Sequence, residues 1–421
     1  MTLPILRLAW KSLVNRRLTA GLTLLSIALS VTLLVGVERI RVDARTSFAN
    51  TISGTDLIVG ARSGGVQLLL YSVFRIGNAT NNIAWQSYQD IAALPNVAWT
   101  IPISLGDSHR GYRVMGTTGD YFTHYRFARN RALEFDRGSP FNELYDAVLG
   151  AEVAEALNYH TGDDIVVAHG VNDAGFSRHE NKPFKVVGIL KRTGTPVDRT
   201  IHVSLQAIEA IHVDWQSGSP IPGLSVSADQ ARHMDLTPKT ITAVLVGLTS
   251  KIATFKVQRY VNDYTEEPLT AVLPGVALSE LWNILGIAEN ALLMVSAFVV
   301  IVGLFGMLTA LLTSLDERRR EMAILRSVGA RPGHIFALIM GEATALTLAG
   351  IALGLGLLYG LLTIARPIVE ARYGIDIAPG SITVHELLLL GMVLTAGFVV
   401  GLLPSYRAYR LSLADGLSMR T

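Results

Sequence analysis

The 421-residue chain has no cysteine, which excludes disulfides, thiolate metal sites and cysteine nucleophiles. It contains no Gly-Lys dipeptide, so it lacks the Gly-x4-Gly-Lys-Ser/Thr loop whose backbone amides and lysine cradle nucleotide phosphates. A Gly-x-Ser-x-Gly elbow is absent too, leaving a hydrolase without a nominated nucleophile. Its ten histidines never fall at His-x3-His or His-Glu-x2-His spacing, so no zinc motif is present. Eight of them, His109, His124, His160, His169, His179, His202, His212 and His233, lie between 38 and 286 and read singly as core or surface residues. Neither catalytic residue, metal nor cofactor is therefore expected in this chain. A net charge of +2, with no clustered basic face interleaved with aromatics, gives no reason to expect nucleic acid.

Charge itself is scarce. Only 17% of residues are charged, half are apolar, and the mean hydropathy is positive. The apolar residues gather in four segments, 18–37, 290–315, 336–364 and 387–405, each near or above the ~20 residues that span ~30 Å of hydrocarbon. The first is longer than a signal-peptide core and is followed by Val-Glu-Arg-Ile-Arg, not by a small-residue cleavage site, so it reads as a retained anchor. This is the pattern of a membrane protein with four transmembrane helices. Between the first two lies a large extracytoplasmic α+β domain.

Lysine and arginine set the expected orientation. Residues 1–17 hold four, 316–334 hold five and 404–421 hold three, against two in 366–386. Both termini and the 316–334 loop are thus expected in the cytoplasm. Residues 38–286 then lie outside, the periplasm in a diderm bacterium. Strand-like runs at 56–59, 165–168, 184–190, 200–203 and 241–248 alternate with helical patterns at 85–94, 147–157 and 251–260. The domain is expected to divide into two lobes near 105 and 235. From Ala277 to Leu315 no proline intervenes, a helix of roughly 58 Å at 1.5 Å per residue, long enough to leave the bilayer as a stalk.

Residues 314–333 form a charged strip between two apolar runs. A short helix is expected to present Met322, Leu325 and Val328 and to end at Gly329, since glycine adopts the left-handed conformation without a clash. Pro332 suits the first turn of the next helix. Glu342, about two turns inside the third apolar run, is an ionisable group at membrane depth, with Arg326, Arg331 or another subunit as expected partners. Gly350 with Gly354, Gly356 with Gly360, and Gly397 with Gly401 have the small-x3-small spacing that lets helices approach closely, within one subunit or across a dimer seam.

The stretch Glu317-Arg-Arg-Arg-Glu-Met-Ala-Ile-Leu-Arg-Ser-Val-Gly-Ala330 resembles the cytoplasmic-loop signature of the MacB/FtsX-type permeases, the type VII ABC transporters. Leu94-Pro-Asn-Val97, Val148-Leu-Gly-Ala-Glu-Val-Ala154, Phe184-Lys-Val-Val-Gly-Ile-Leu190, His202-Val-Ser-Leu205 and Pro404-Ser-Tyr-Arg-Ala408 extend the likeness over nearly the whole chain. The resemblance implies an inner-membrane permease subunit, a homodimer or heterodimer with no catalysis of its own. A cytoplasmic ABC ATPase would bind ATP and Mg and dock on 316–334, with Met322 and Leu325 inserted and Glu317, Arg318 and Glu321 ringing them. Stalk movement would reshape the outer domain, to act on lipoprotein, lipid, peptide or hydrophobic cargo, with a periplasmic adaptor or cargo protein as a further partner. The alternative is a non-transporting regulator of an outer enzyme such as a cell-wall hydrolase. Residues 60–82 are longer and more apolar than the family pattern. They are an added packed element or, if Leu68, Leu69, Leu70, Val73 and Phe74 are exposed, a cargo or partner contact.

Overall fold

A computed structural model describes residues 17–128, 130–170, 179–216, 219–220, 226–373, 380 and 382–410. Arg7, Lys11, Arg16 and Arg420, which entered the charge count, lie outside the described residues. The principal helices, in chain order, are α1 (Arg17–Thr51), α2 (Gly65–Ser72), α3 (Trp85–Ala92), α4 (Ala151–Leu157), α5 (Leu205–His212), α6 (Thr254–Asn262), α7 (Pro274–Glu317), α8 (Arg319–Ser327), α9 (Pro332–Tyr373) and α10 (Val384–Arg410). Contacts divide the described chain into a helical unit, residues 17–43, 286–368 and 382–410, and an inserted unit over 44–285.

Four helices, α1, α7, α9 and α10, are long and apolar enough to cross a membrane. At 44 residues, α7 is roughly 66 Å long, twice what hydrocarbon requires. Small residues bring the helical unit together. A Cβ on Gly350 would stand 2.5 Å from Ile27 Cγ2, and one on Gly354 would stand 2.7 Å from the Ala28 carbonyl. On α10, Gly397 and Gly401 admit Thr347 and Ala343 of α9 in the same way. These two pairs are packing positions within the subunit, whereas a Cβ on Gly356 or Gly360 would meet nothing within 4 Å. Hydroxyls add to the close approach. Thr32 Oγ1 donates to the Gly354 carbonyl at 2.9 Å, and Ser30 Oγ to that of Val299 at 3.1 Å.

The inserted unit is built on one eleven-stranded sheet. Its strands are β1 (Leu57–Ala61), β2 (Val97–His109), β3 (Tyr112–Thr117), β4 (Phe135–Gly138), β5 (Asp146–Leu149), β6 (Asp164–Ile165), β7 (Ala168–His169), β8 (Phe184–Leu190), β9 (Thr200–Ser204), β10 (Ala243–Leu248) and β11 (Leu269–Val272). The order is β11-β1-β10-β2-β3-β9-β5-β8-β4, with β7 on β2 and β6 on β8. The thirteen-residue β2 is shared by two half-sheets. Val97 to Ile103 pair with β10, and Ser104 to His109 pair with β3. The register shifts between Leu105 and Ser108, a bulge that bends the strand and turns its side chains.

One expectation changes here and one open alternative is decided. Residues 147–157 are not one helix. Ala147, Val148 and Leu149 complete the buried strand β5, and the chain then turns at Gly150, where a Cβ would collide with the Val197 and Asp198 carbonyls. Within 60–82, the stretch 68–74 is the added packed element and not an exposed patch. Leu68, Leu69, Val73 and Phe74 are buried and Leu70 packs partly buried against them. Gly60 lets α2 lie directly on β1, because a Cβ there would reach 2.6 Å from Leu68 Cδ1. Phe74 stacks on Phe48, near the end of α1, at 4.4 Å between centroids, and Phe48 meets Trp282 of α7 edge-on at 5.5 Å. The segment therefore fixes the two stalk ends to the domain core.

Candidate functional site

The charged strip folds as a break between two very long helices. Arg318 leaves the helical conformation (φ −95°, ψ 5°), α8 runs from Arg319 to Ser327, and Gly329 takes φ +100°. Pro332 then opens α9. Start, stop and restart fall where the residues place them.

The side chains are arranged differently from expectation. Met322 does not project outward. It is buried against Leu315, Ile335, Ile339 and Ala408, which joins α8 to α7, α9 and α10. Arg318 does not sit on a solvent rim either. It is 4% exposed, and its Nη1 donates to Glu342 Oε2 at 2.8 Å. Glu342 thus pairs with Arg318, which was not among its expected partners. The spacing of 24 residues crosses a helix break, so a local pattern could not reveal it. Each ion removes the desolvation cost the other would carry alone. Arg318 Nε also stands 3.8 Å from exposed Glu321.

What α8 offers outward is Ile324, 54% exposed, and Val328, 83% exposed, with Leu325 half-buried between them. Glu317, Arg320 and Glu321 are exposed around this apolar pair. Residues four apart share a helix face, so Ile324 and Val328 make one contiguous spot with a charged margin. Two apolar residues with a polar rim have the composition of a small protein-docking surface.

A second charged layer lies at the other end of α10. Arg39 Nη1 meets Glu386 Oε1 at 3.2 Å, both side chains buried. Arg41 pairs with Glu38 at 2.8 Å, and His385 stands 3.5 Å from the same carboxylate. Thr383 and Glu386 form a reciprocal cap. The Thr383 N–H donates to Glu386 Oε2 at 2.7 Å, and the Glu386 N–H donates to Thr383 Oγ1 at 3.2 Å. The signal for it, Thr383-Val-His-Glu386 ahead of an apolar run, is a capping box.

Among the described histidines of the inserted unit, two patterns emerge that spacing did not disclose. His202 is wholly buried between Tyr121 and Phe122, and burial, with Arg75 nearby, pushes its pKa down to about 3. His169, His179 and His212 converge with Asp107 in one place. The expectation that no histidines gather held only along the chain.

Comparison with known proteins agrees with this architecture. Residues 20–262 match the profile of the MacB-like periplasmic core domain, and residues 293–413 match that of the FtsX-like permease C-terminal domain. The macrolide export ATP-binding/permease protein MacB of Azoarcus sp. is 24% identical over 96% of this chain and 58% of its own length. The lipoprotein-releasing system transmembrane protein LolC of Neisseria meningitidis is 22% identical over 65% of each chain. The chain thus spans a little under two thirds of the curated relatives it matches. The solved periplasmic region of MacB from Actinobacillus actinomycetemcomitans superposes with a TM-score of 0.34 and 10% identity, over 55% of this chain and 95% of that one. With both profiles in order and four apolar helices around the inserted domain, the chain is a multi-pass inner-membrane protein and belongs to the MacB/FtsX-like ABC transporter permease family.

Proposed function

We propose that the chain is the permease of an ABC export or mechanotransmission system, with both termini and α8 in the cytoplasm and the inserted unit in the periplasm. An ATP-binding-cassette subunit binds ATP and Mg and docks on α8 through Ile324, Leu325 and Val328, ringed by Glu317, Arg320 and Glu321. The observation that carries this reading is the apolar spot on α8, set between two helices that each exceed the bilayer.

Nucleotide-driven closure of the ATPase presses on α8. Met322 and the Arg318–Glu342 pair pass the displacement into α9 and α10, and α7 continues past hydrocarbon depth. In the inserted unit, the stalk ends at Phe48 and Trp282 are held to the core through Phe74, so their movement reshapes the sheet. The spans of α9 and α10 keep most of their residues on the outside of the helical unit, a broad apolar face for lipid and for a second permease in a dimer. The relatives named for macrolide export and lipoprotein release favour hydrophobic or lipidated cargo taken from the outer face over regulation of a cell-wall hydrolase.

The test is a double substitution, Ile324→Arg with Val328→Arg. Co-purification of the ATPase and permease-dependent ATP hydrolysis should both be lost. The melting transition should shift little, because exposed substitutions away from packing usually cost within about 0.5 kcal/mol. An ATPase that stays bound to the double variant would remove α8 as its docking element.

A further inference from the structure

Four potential donors meet at the edge of the inserted sheet, brought there by four separate pieces of chain. The bulge in β2 presents Asp107, and β7 sets His169 directly opposite it as its cross-strand partner. His212 is the last residue of α5. His179 is placed by its backbone N–H, which donates to the Val167 carbonyl at 3.0 Å. His169 Nδ1 lies 3.1 Å from Asp107 Oδ1 and 3.2 Å from His212 Nε2, and the third side, His212 Nε2 to Asp107 Oδ1, is 3.5 Å. Ligands about 2.0–2.1 Å from a tetrahedral zinc stand roughly 3.4 Å from one another, so this triangle has the dimensions of one tetrahedral face. Asp107, His179 and His212 each offer an atom within 4.8 Å of the other two. His179 is 1% exposed, and its Nε2 has no hydrogen-bond partner among the described residues.

We propose that Asp107, His169, His179 and His212 form a binding site for a divalent transition metal of the Zn2+ class. His212 Nδ1 lies 2.8 Å from the Ile208 carbonyl. A proton there fixes the tautomer and aims the Nε2 lone pair at the site, as outer-shell carbonyls do for metal-bound imidazoles. At 3.2 Å, the facing nitrogens of His169 and His212 have no room for two inward protons, and one cation replaces them. Trp215 covers the cluster, with its ring 4.3 Å from that of His179 and 5.6 Å from that of His169. The neighbouring buried charges, Lys182 and Asp214, neutralise each other at 2.7 Å. Among the described residues, Asp107 is the buried carboxylate in direct contact with His169 and His212. Three imidazoles and one carboxylate suit zinc. An ion bound there would clamp β2, β7 and the end of α5 together.

Zn2+ titration of the untagged, chelator-treated full-length chain in detergent, read by competition with a chromophoric chelator, tests the site. The expected result is one Zn2+ per chain, with Co2+ giving the visible absorption of a tetrahedral centre in its place. Outer-shell partners alone are worth about 10–100-fold in metal affinity, so His179→Ala or His212→Ala should weaken binding at least about 100-fold. His169→Gln, a change at a partly exposed position, supplies the same test should the buried variants fold poorly. His160→Ala, elsewhere on the surface, should leave binding unchanged. Affinity should fall on acidification from about pH 7 to about pH 5, as protons compete for the imidazoles. Substoichiometric binding to the native chain, or undiminished binding to folded Asp107→Asn or His169→Gln, would overturn the proposal.

Discussion

The two ends of the helical unit both bury an arginine–glutamate pair, and they bury it differently. Arg318 and Glu342 form a nearly solitary pair at 2.8 Å, placed where the helix is interrupted. Arg39 and Glu386 meet at 3.2 Å inside a network in which Asp43 approaches Arg39 to 3.8 Å while Arg41 and His385 converge on Glu38. Glu386 is also part of a helix cap. One end rests mainly on a single close ion pair. The other is cross-braced by several neighbouring charges.

The strongest way to break this contrast is to remove charge at each end. Arg39→Leu or Arg318→Leu leaves a buried carboxylate unpaired and should cost about 3–5 kcal/mol of stability in detergent. The double variants should then diverge. Arg318→Leu with Glu342→Leu should recover most of the loss and yet fail to stimulate the ATPase. Arg39→Leu with Glu386→Leu should stay destabilised, because the cap is gone and Asp43 loses the neighbouring guanidinium. Equal recovery at both ends, read from melting curves, would mean that the two pairs are equivalent.

A smaller effect separates the glycines. Gly354→Leu should cost about 1–3 kcal/mol or more by forcing α9 off α1, whereas Gly356→Leu, whose Cβ position is open, should be nearly neutral in the isolated chain. The same pattern would confirm that the packing seam runs along one face of α9 only. Smallest of all is the cap. Thr383→Ala should lower stability by about 1 kcal/mol and raise amide exchange in the first turn of α10 without touching ATPase stimulation.

Some of this was legible in the residues. The four spans follow from uninterrupted apolar length, and the limits of α8 follow from Gly329 and Pro332, since glycine and proline act on the backbone where they stand. Orientation within a face was not legible. Met322, Leu325 and Ile324 are equally apolar, and which of them turns inward depends on α9 and α10, elements that come later in the chain. The run of leucines at 68–70 reads the same whether it meets a ligand or a core, and only Gly60 beneath α2 decides it. The β2 strand went unread because Pro102 and Gly106 interrupt its β pattern. With it went Asp107, whose histidine partners are set by sheet register and by no spacing in the chain.

Strand order carries one more consequence. β1, at Leu57–Ala61, lies between β10 at Ala243–Leu248 and β11 at Leu269–Val272, its only two neighbours. An emerging chain holds β1 without a partner until nearly the whole inserted segment has been synthesised. Pairings so distant in sequence close slowly, and an open strand edge invites association in the meantime. Completion of the sheet around β1 therefore waits for the last strand before α7.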